Sequence, residues 1–463
     1  MVNRKLPQWD RWFLFGLRLY ILAFLLFYPR IFAIVDEDAY LTQALLFRSG
    51  RLSYTGSAIP APHMTVNMTG RMVSKYPPGN ALFLLPFTLP GWRWVFLSGI
   101  VLALSGTWLC VLVLRQFAPD SDPAWALLFL CHPAVTVYSR TIMSDLLATV
   151  AIMASFYFLF RSGRWSLLSG LCLGFAILTR YASGVLVPVF ILFAFLLNRH
   201  RWEEVILFLL GLVPFLAAAL AYNRYAFGGP FRFPMFLTGH FSVSFLARNF
   251  LYYFPPLLVW YPLMLPAPIL AGRRAALLLG LPAWTVLFFY SLFSYIPPTS
   301  GLADRLVIGL RYLLPAIPFL TLGFILALHR LKPKTISFLK PVLLTLALTL
   351  STALQFRHAG YLRHQDYYRQ LLYKTVPDSA LLYCDREVSE LISFAWGWRE
   401  HRPLTELDTL ALSEEIRPVF AARLTKKPDG DFGETAQTFS PLAGRSPILE
   451  TSRPYRFQLF RLR

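Results

Sequence analysis

The stretch that decides the fold runs from residue 13 to residue 40 and reads FLFGLRLYILAFLLFYPRIFAIVDEDAY. Its first part, from Phe13 to Ile34, is long and apolar enough to cross a bilayer, which takes roughly 17–25 residues. Its last part brings three successive carboxylates, Asp36-Glu37-Asp38, to one membrane face. Acidic groups at a membrane boundary are costly unless they are solvated, paired or used, so this cluster predicts a functional site.

The composition predicts an integral membrane protein. Of the 463 residues 56% are hydrophobic and only 15% are charged, whereas charged residues approach about a quarter of soluble domains. The mean hydropathy is +0.52. A net charge of +20 would suggest nucleic acid in a soluble chain. Here the basic residues fall mostly between apolar segments, so we expect lipid headgroups and no nucleic acid as partners.

Apolar segments predict about eleven transmembrane helices. They lie near residues 12–34, 94–114, 124–138, 142–160, 165–179, 184–198, 204–222, 251–271, 275–294, 312–329 and 337–356. The connections that would face the cytoplasm are short and basic if the N-terminus is cytoplasmic, as the positive-inside rule requires. We therefore expect a multi-pass protein with its C-terminal segment outside, and the compact outer loops favour a bacterial inner (plasma) membrane.

Two domains are predicted. Residues 1–356 form a transmembrane domain with a large first outer loop, 35–93, and residues 357–463 form a small extracytoplasmic α/β domain. In the second domain charged residues become frequent and turn sequences appear. Strands are expected at 379–384, 418–422 and 455–460, with a short helix at 387–394. The predicted fold class is an α-helical polytopic membrane protein with a C-terminal α/β domain.

The outer-face carboxylates have two possible chemistries. A carboxylate at the water–lipid boundary can act as a general base toward an acceptor hydroxyl. It can also ligate a divalent cation, and Asp38, His63 and His240 are the candidate ligands. A cluster that merely anchors and caps a helix is the structural alternative. Asp145, near the outer start of the fourth predicted span, is a second acidic candidate, because ionisable residues inside spans usually face the bundle interior.

Basic residues on the outer side predict phosphate binding. Lys75 precedes Pro77-Pro78, which stiffen the chain, and a lysine at headgroup depth is a plausible point charge for a phosphate. Snorkelling to the interface is the alternative for Lys75. Guanidinium groups suit phosphate geometry, and the arginine candidates for the donor phosphate are Arg140, Arg180, Arg224 and Arg311. Arg140 has the alternative of pairing with Asp145.

The ordered motifs resemble those of multi-span glycosyltransferases that use polyprenyl-phosphate sugar donors and have the GT-C superfold. The most similar groups are protein O-mannosyltransferase-like and bacterial aminoarabinose transferase-like enzymes. The shared features, in chain order, are Asp36-Glu37-Asp38-Ala39-Tyr40, Lys75-Tyr76-Pro77-Pro78-Gly79, Ser139-Arg140 with Ser144-Asp145, Tyr222-Asn223 with Phe227-Gly228, and Arg311-Tyr312 with Pro315. The resemblance covers roughly residues 12–330. The extra Asp38 and the tyrosine inserted at Tyr76 depart from the strictest patterns.

The resemblance implies specific roles. Asp36 would be the catalytic base, Glu37 its support or a metal neighbour, and Asp145 would help shape the site. Lys75 and the arginines would contact the donor phosphate, while Tyr40 and Tyr76 would shape the loop and the acceptor site. The sugar would pass, with inversion, to a hydroxyl of a glycolipid, polysaccharide or protein acceptor. The alternatives are a lipid or solute transporter or flippase, an oligosaccharide ligase or polymerase, and a non-catalytic subunit.

Overall fold

The chain folds as two compact units in a computed structural model. The first unit contains the described residues up to Tyr28 together with Lys75–His358, and the second contains Pro29–Ser74 and Ala359–Arg463. The structure describes residues 11–55, 64–67, 69–161, 163–197, 201–232, 240–261, 263–297, 299, 301–397, 399–407, 415, 417–425, 442, 446–451 and 455–462. The predicted boundary at 356/357 lies close to the unit boundary after His358, but the first outer loop is divided between the two units.

Helices dominate the described residues. In chain order they are α1 Arg11–Leu26, α2 Val35–Arg48, α3 Gly79–Thr88, α4 Leu97–Phe117, α5 Leu127–Leu130, α6 Pro133–Tyr138, α7 Ser144–Leu159, α8 Arg164–Thr179, α9 Val187–Leu197, α10 Trp202–Phe227, α11 Leu246–Val259, α12 Ala267–Leu270, α13 Arg273–Ala275, α14 Leu281–Ser291, α15 Leu302–Val307, α16 Ile317–Leu328, α17 Pro333–Thr375 and α18 Arg386–Ser389. Helix α2 belongs to the second unit, and α17 contributes residues to both.

The predicted polytopic membrane fold is confirmed. Among the described residues, five helical stretches are long and apolar enough to cross a membrane: Trp92–Phe117, Trp202–Phe227, Arg273–Ser291, Leu302–Leu328 and Pro333–Thr375. Shorter apolar helices accompany them at Gly79–Thr88, Ser144–Leu159, Arg164–Thr179 and Tyr181–Leu197. The segment 124–138, predicted as one span, contains the two short helices α5 and α6. A 3-10 turn that begins at Pro123 precedes α5, and α6 begins at Pro133 after its cap residue His132.

The first predicted span is wrong at its C-terminal end. Helix α1 stops at Leu26 rather than at Ile34. Pro29 follows closely, and a proline disfavours helical backbone in the residue before it, which here is Tyr28. The chain then enters a new helix at Val35. The three carboxylates therefore lie in the first turn of α2, where the helix dipole favours negative charge, and not at the end of a spanning helix.

The last predicted span also ends too early. Helix α17 is 43 residues long and continues to Thr375, because the sequence after residue 356 contains no proline before Pro377. Its last turns carry Tyr368 and Leu372, which are fully buried in the core of the second unit together with Val376. The helix that ends the membrane region thus also covers one face of the C-terminal sheet.

The second unit is built on a five-stranded mixed sheet, which confirms the predicted α/β domain. Its strands are β3 Leu381–Cys384, β4 Glu400–Pro403, β5 Val419–Thr425, β6 Leu449–Thr451 and β7 Arg456–Arg461, in the order β4-β3-β5-β7-β6. Strand β3 pairs in parallel with β4 and β5, while β7 is antiparallel to β5 and β6. A separate hairpin joins β1 Met64–Val66 to β2 Met72–Ser74.

The interior strand β3 is buried on both faces. Leu382 and Cys384 pack with the α17 residues on one side, and Leu381 and Tyr383 pack with Val419 and its neighbours on the other. Alternate residues of a strand point to opposite faces, so an unbroken apolar run suits a strand covered on both sides. The short helix expected at 387–394 is instead α18 followed by a 3-10 turn at Phe394–Trp396.

Candidate active site

The three carboxylates of α2 have three different environments. Successive side chains of a helix point about 100° apart, so three adjacent side chains face different parts of the molecule. Glu37 and Asp38 are buried, with 0% and 5% of their surface exposed, whereas Asp36 is partly exposed. Of the three, Asp36 is therefore the carboxylate with the most access to solvent.

Glu37 caps the helix that carries it. Its Oε1 accepts hydrogen bonds from the backbone N–H groups of Ala33, at 2.8 Å, and of Ile34, at 3.0 Å. These groups lie just before the first turn of α2, where backbone donors otherwise have no helical partner. The structure thus gives Glu37 a capping role at the start of α2. The support of Asp36 that the family resemblance implies stays a prediction.

Asp38 is a buried carboxyl with a neutral partner. Its Oδ1 accepts a hydrogen bond from the hydroxyl of Ser393, and its Oδ2 has no partner among the described residues. Burial raises the pKa of Asp38 to about 7, against a smaller opposing effect of the Ser393 hydrogen bond. Asp38 lines a small cavity of about 20 Å³ with Gln365 and Glu390.

The second group of candidates surrounds Asp145 in the first unit. Helices α7 and α8 pack together and are joined by a short turn, so the start of α7 and the end of α8 lie at the same end of the pair. Asp145 stands in the first turn of α7 and Arg180 directly follows α8. Arg311 reaches the same place from the 3-10 turn Gly309–Ala316, ahead of α16. Three segments distant in sequence therefore meet at one point.

The geometry of this cluster is an ion triad. Asp145 is 1% exposed; its Oδ1 lies 2.5 Å from an Nη of Arg180 and its Oδ2 lies 3.4 Å from Nε of Arg311. Arg180 also donates from Nε to the Tyr290 hydroxyl at 3.0 Å. The rings of Tyr290 and Tyr312 stack with centroids 5.1 Å apart, and the Arg180 guanidinium lies 5.0 Å from the Tyr312 centroid. The cation is held between a carboxylate and aromatic rings.

Two guanidinium groups contact the single carboxylate of Asp145, and each arginine side chain remains 15% exposed. Guanidinium groups that are held in fixed orientations suit the geometry of phosphate and carboxylate anions. We define Asp145, Arg180 and Arg311 with Tyr290 and Tyr312 as the arginine cluster.

The segment carrying Lys75 is anchored beside this cluster. Helix α3 begins at Gly79, and a Cβ added there would lie only 2.6 Å from the backbone nitrogen of Thr179, the residue before Arg180. The next residue, Asn80, donates from Nδ2 to the Ile142 carbonyl at 2.8 Å, three residues before Asp145. The chain that begins at Lys75 therefore runs against both segments that form the ion pair. Lys75 itself is partly exposed and Tyr76 is buried.

Gly79 and Asn80 were missed by the sequence reasoning. The signal was present in Lys75-Tyr76-Pro77-Pro78-Gly79, because a glycine after two prolines is typical of close backbone approach as well as of a turn. Asn80 gave no signal of its own.

Arg140 does not pair with Asp145, so that alternative is wrong. It is 1% exposed and donates to Nδ1 of His358 at 3.2 Å, to Oε1 of Gln355 at 3.5 Å, and to the Phe27 carbonyl. These contacts join α17, the chain just after α1 and the segment before α7. All three acceptors are neutral, so Arg140 acts in the structure as a buried hydrogen-bond donor that links these segments.

Arg224 is exposed in the last turn of α10. Its neighbour Asn223 is buried, accepts from the Tyr181 hydroxyl at 2.6 Å and donates to the Pro230 carbonyl at 3.1 Å. The Tyr222-Asn223 motif thus connects the end of α10 to the residue after Arg180. Gly228 caps the helix with φ of +79°, which favours glycine.

Two of the three metal candidates, Asp38 and His240, are among the described residues, and they belong to different units. His63 lies outside the described residues. His240, in the first unit, shares a hydrogen bond with Ser294 at 2.9 Å, and Asp38, in the second, bonds to Ser393. No three His, Cys, Asp or Glu side chains in the described part of the chain form a group that could hold a metal ion. The divalent cation stays a prediction.

Two crystal structures share the fold over nearly the whole chain. ArnT from Cupriavidus metallidurans bound to undecaprenyl phosphate is 15% identical, with a TM-score of 0.64, and the match covers 97% of this chain and 98% of that one. The apo state of the same protein is 14% identical with a TM-score of 0.60, covering 97% of each. This chain has the ArnT fold. No family model and no curated protein sequence matches it.

The likeness extends beyond the expected range. The motifs resembled the family over roughly residues 12–330, whereas the shared fold covers 97% of the chain and so includes most of the C-terminal domain. At this level of identity the comparison establishes the fold. It confirms the predicted polytopic architecture with its C-terminal sheet.

Proposed function

We propose that this protein is a membrane glycosyltransferase that moves a sugar from a polyprenyl-phosphate carrier to an acceptor hydroxyl. The observation that carries the proposal is the arginine cluster in a chain with the ArnT fold. One matching ArnT structure holds undecaprenyl phosphate, a lipid anion whose phosphate group suits the geometry of guanidinium donors. The enzyme would act at the extracytoplasmic face of a bacterial inner membrane, with its N-terminus in the cytoplasm.

The donor would be bound through its phosphate. Arg180 and Arg311 offer guanidinium donors in fixed orientations, because Asp145 and the two tyrosine rings hold them. Lys75 would add a mobile point charge. As the bond to the sugar breaks, negative charge grows on the phosphate oxygens, and preorganised cations stabilise that charge most strongly in the transition state.

The transfer step would be a single displacement. The acceptor oxygen attacks the anomeric carbon, the bond from that carbon to the phosphate oxygen breaks, and its electron pair leaves with the polyprenyl phosphate. Asp36 takes the proton of the acceptor hydroxyl as general base. Attack opposite the leaving group inverts the anomeric centre. Glu37 supports Asp36 by capping the helix that carries both.

Transfer of labelled sugar tests the proposal. The purified protein in nanodiscs would be incubated with an undecaprenyl-phosphate sugar labelled in the sugar and with a total lipid and polysaccharide extract as acceptor. We expect label in an acceptor fraction and release of undecaprenyl phosphate, both abolished in Asp36→Asn. Asp120→Asn, a carboxylate in the loop after α4, is the matched control and should retain activity.

Other outcomes would point elsewhere. Movement of the labelled lipid across a vesicle membrane without sugar release would favour a flippase and overturn the proposal. Transfer that requires a donor carrying several sugars would favour an oligosaccharide ligase or polymerase. Full activity of Asp36→Asn would exclude Asp36 as the base.

A further inference from the structure

Asp38 is the carboxylate of α2 that the proposed mechanism does not use. The motif Asp-Glu-x-x-Tyr leaves its third position open, and this chain places a third acid there. The side chain is 95% buried, given its 5% exposure, and its bonded partner among the described residues is the hydroxyl of Ser393, more than 350 positions later. A buried carboxyl is costly to retain without a role, so this contact needs an explanation.

Ser393 is itself held rigidly in the C-terminal domain. Its backbone N–H donates to the Tyr373 hydroxyl at 3.3 Å, and that hydroxyl donates to the Gly397 carbonyl at 2.6 Å. Its Oγ accepts from the Ala395 N–H at 3.0 Å and so caps the 3-10 turn Phe394–Trp396. Because Oγ already accepts this bond, its hydrogen is directed to Asp38.

A second contact lies on the other side of Asp36. The Phe32 ring packs on the Trp396 ring with centroids 5.2 Å apart. Trp396 is fixed by its Nε1–H, which donates to the Leu391 carbonyl at 3.1 Å, and by the Arg369 guanidinium, 5.0 Å from its ring. The segment 391–397 therefore contacts the chain four residues before Asp36 and two residues after it.

We propose that Asp38 is a positioning residue: its bond to Ser393 fixes the first turn of α2 on the C-terminal domain and thereby sets the orientation of Asp36. The statement about Asp36 rests on the proposed function. The statement about α2 does not, because it follows from contacts within the second unit alone. The C-terminal domain thus takes part in the reaction by holding the helix of the base.

Two measurements on the full-length protein test this role. Hydrogen–deuterium exchange of residues 35–48 is measured without donor in the wild type, Ser393→Ala, Asp38→Ala and Asp38→Asn. Sugar transfer by the same variants and by the double variant Asp38→Ala/Ser393→Ala gives kcat and KM. Ser389→Ala is the matched control, since its hydroxyl bonds to His401 at 3.1 Å and not to Asp38.

The proposal predicts a specific pattern. Ser393→Ala and Asp38→Ala should each speed exchange in α2 and lower kcat on the order of ten-fold, with the donor KM unchanged, because one hydrogen bond to a carboxyl is lost. The double variant should be no worse than either single variant. Asp38→Asn should stay within about two-fold of wild type, since an amide oxygen still accepts the bond.

Three results would overturn the proposal: unchanged exchange of residues 35–48 in Ser393→Ala, losses in kcat that multiply in the double variant, or Ser389→Ala matching Ser393→Ala. A wild type that transfers no sugar would overturn the proposed function instead. In that case the exchange measurement alone decides whether Asp38 positions α2.

Discussion

Asp38 and Asp145 are both carboxylates near the start of a helix, and they have different kinds of partner. Each lies in a first helical turn and each is almost fully buried. Asp38 bonds to a neutral hydroxyl, whereas Asp145 contacts two guanidinium groups. Burial without a cation favours the protonated form of a carboxyl, as the raised pKa of Asp38 indicates. On the proposed function, the contact of Asp38 holds a helix, whereas the contacts of Asp145 orient two guanidinium groups toward an anion.

The largest effect in this comparison is expected from removing the charge of Asp145. Asp145→Ala leaves two largely buried arginines without their carboxylate, and breaking a buried ion pair in this way costs about 3–5 kcal/mol. We expect a marked fall in the midpoint of thermal unfolding in detergent. The exposed pair of Arg201 with Glu203 provides the control.

In Glu203→Ala, where the carboxylate is 71% exposed, the change should be below about 1 kcal/mol. Equal midpoints for Asp145→Ala and Glu203→Ala would show that the arginine cluster is not the buried ion triad described above.

The next effect distinguishes two buried arginines. Arg140 has only neutral acceptors, whereas Arg311 faces Asp145. Arg140→Met should destabilise the fold by about 1–3 kcal/mol, because its acceptors lose their donors, and leave the affinity for undecaprenyl phosphate unchanged. Native mass spectrometry measures that affinity. A clear loss of affinity in Arg140→Met would support Arg140 as a phosphate ligand and contradict this difference between Arg140 and Arg311.

The smallest effect is a pH dependence that arises from Asp38. Its pKa is about 7 in the folded protein against an ordinary 3.8, so between these values the folded state holds a proton that the unfolded state releases. The free energy of unfolding therefore falls as the pH rises through this range and is level above it. Asparagine cannot ionise, so Asp38→Asn should gain stability over wild type as the pH is raised from 5.5 to about 8.

Thermal unfolding at both pH values measures this gain. Asp120→Asn serves as the control for the loss of one carboxylate, because Asp120 is exposed in a loop. A difference between Asp38→Asn and wild type that is the same at pH 5.5 and about 8 would show that Asp38 does not titrate in this range.

The sequence was most informative where a pattern is local. Apolar length predicted the polytopic fold, and short apolar runs near turn sequences predicted β3, β5 and β7 close to their observed bounds. The end of α1 was missed because Arg30-Ile31-Phe32-Ala33-Ile34 is as apolar as the helix before it, and hydropathy does not register the backbone constraint of Pro29. The end of α17 was missed because its last turns are not uniformly apolar as a membrane span would be. They instead have one apolar face, which packs on the sheet.

The candidate site divides in the same way. Asp36, Asp145, Lys75 and Arg311 were predicted from residue type and motif order. The partner of Asp145 was not, because its two arginines come 35 and 166 positions later and only the fold brings them together. The partner of Asp38 was not predicted either. The sequence suggested Asp38 as a metal ligand, whereas the fold brings the hydroxyl of Ser393 into hydrogen-bond contact with it.

The binding of undecaprenyl phosphate tests the central claim most directly. The account predicts that purified wild-type protein binds it and that Arg311→Ala and Arg180→Lys each weaken binding on the order of ten-fold or more, since guanidinium geometry is lost in both. The Arg224→Ala variant removes an exposed arginine. Its affinity shows how much binding is lost when one positive charge is removed outside the arginine cluster. Equal affinity of wild type, Arg311→Ala and Arg180→Lys would contradict the account.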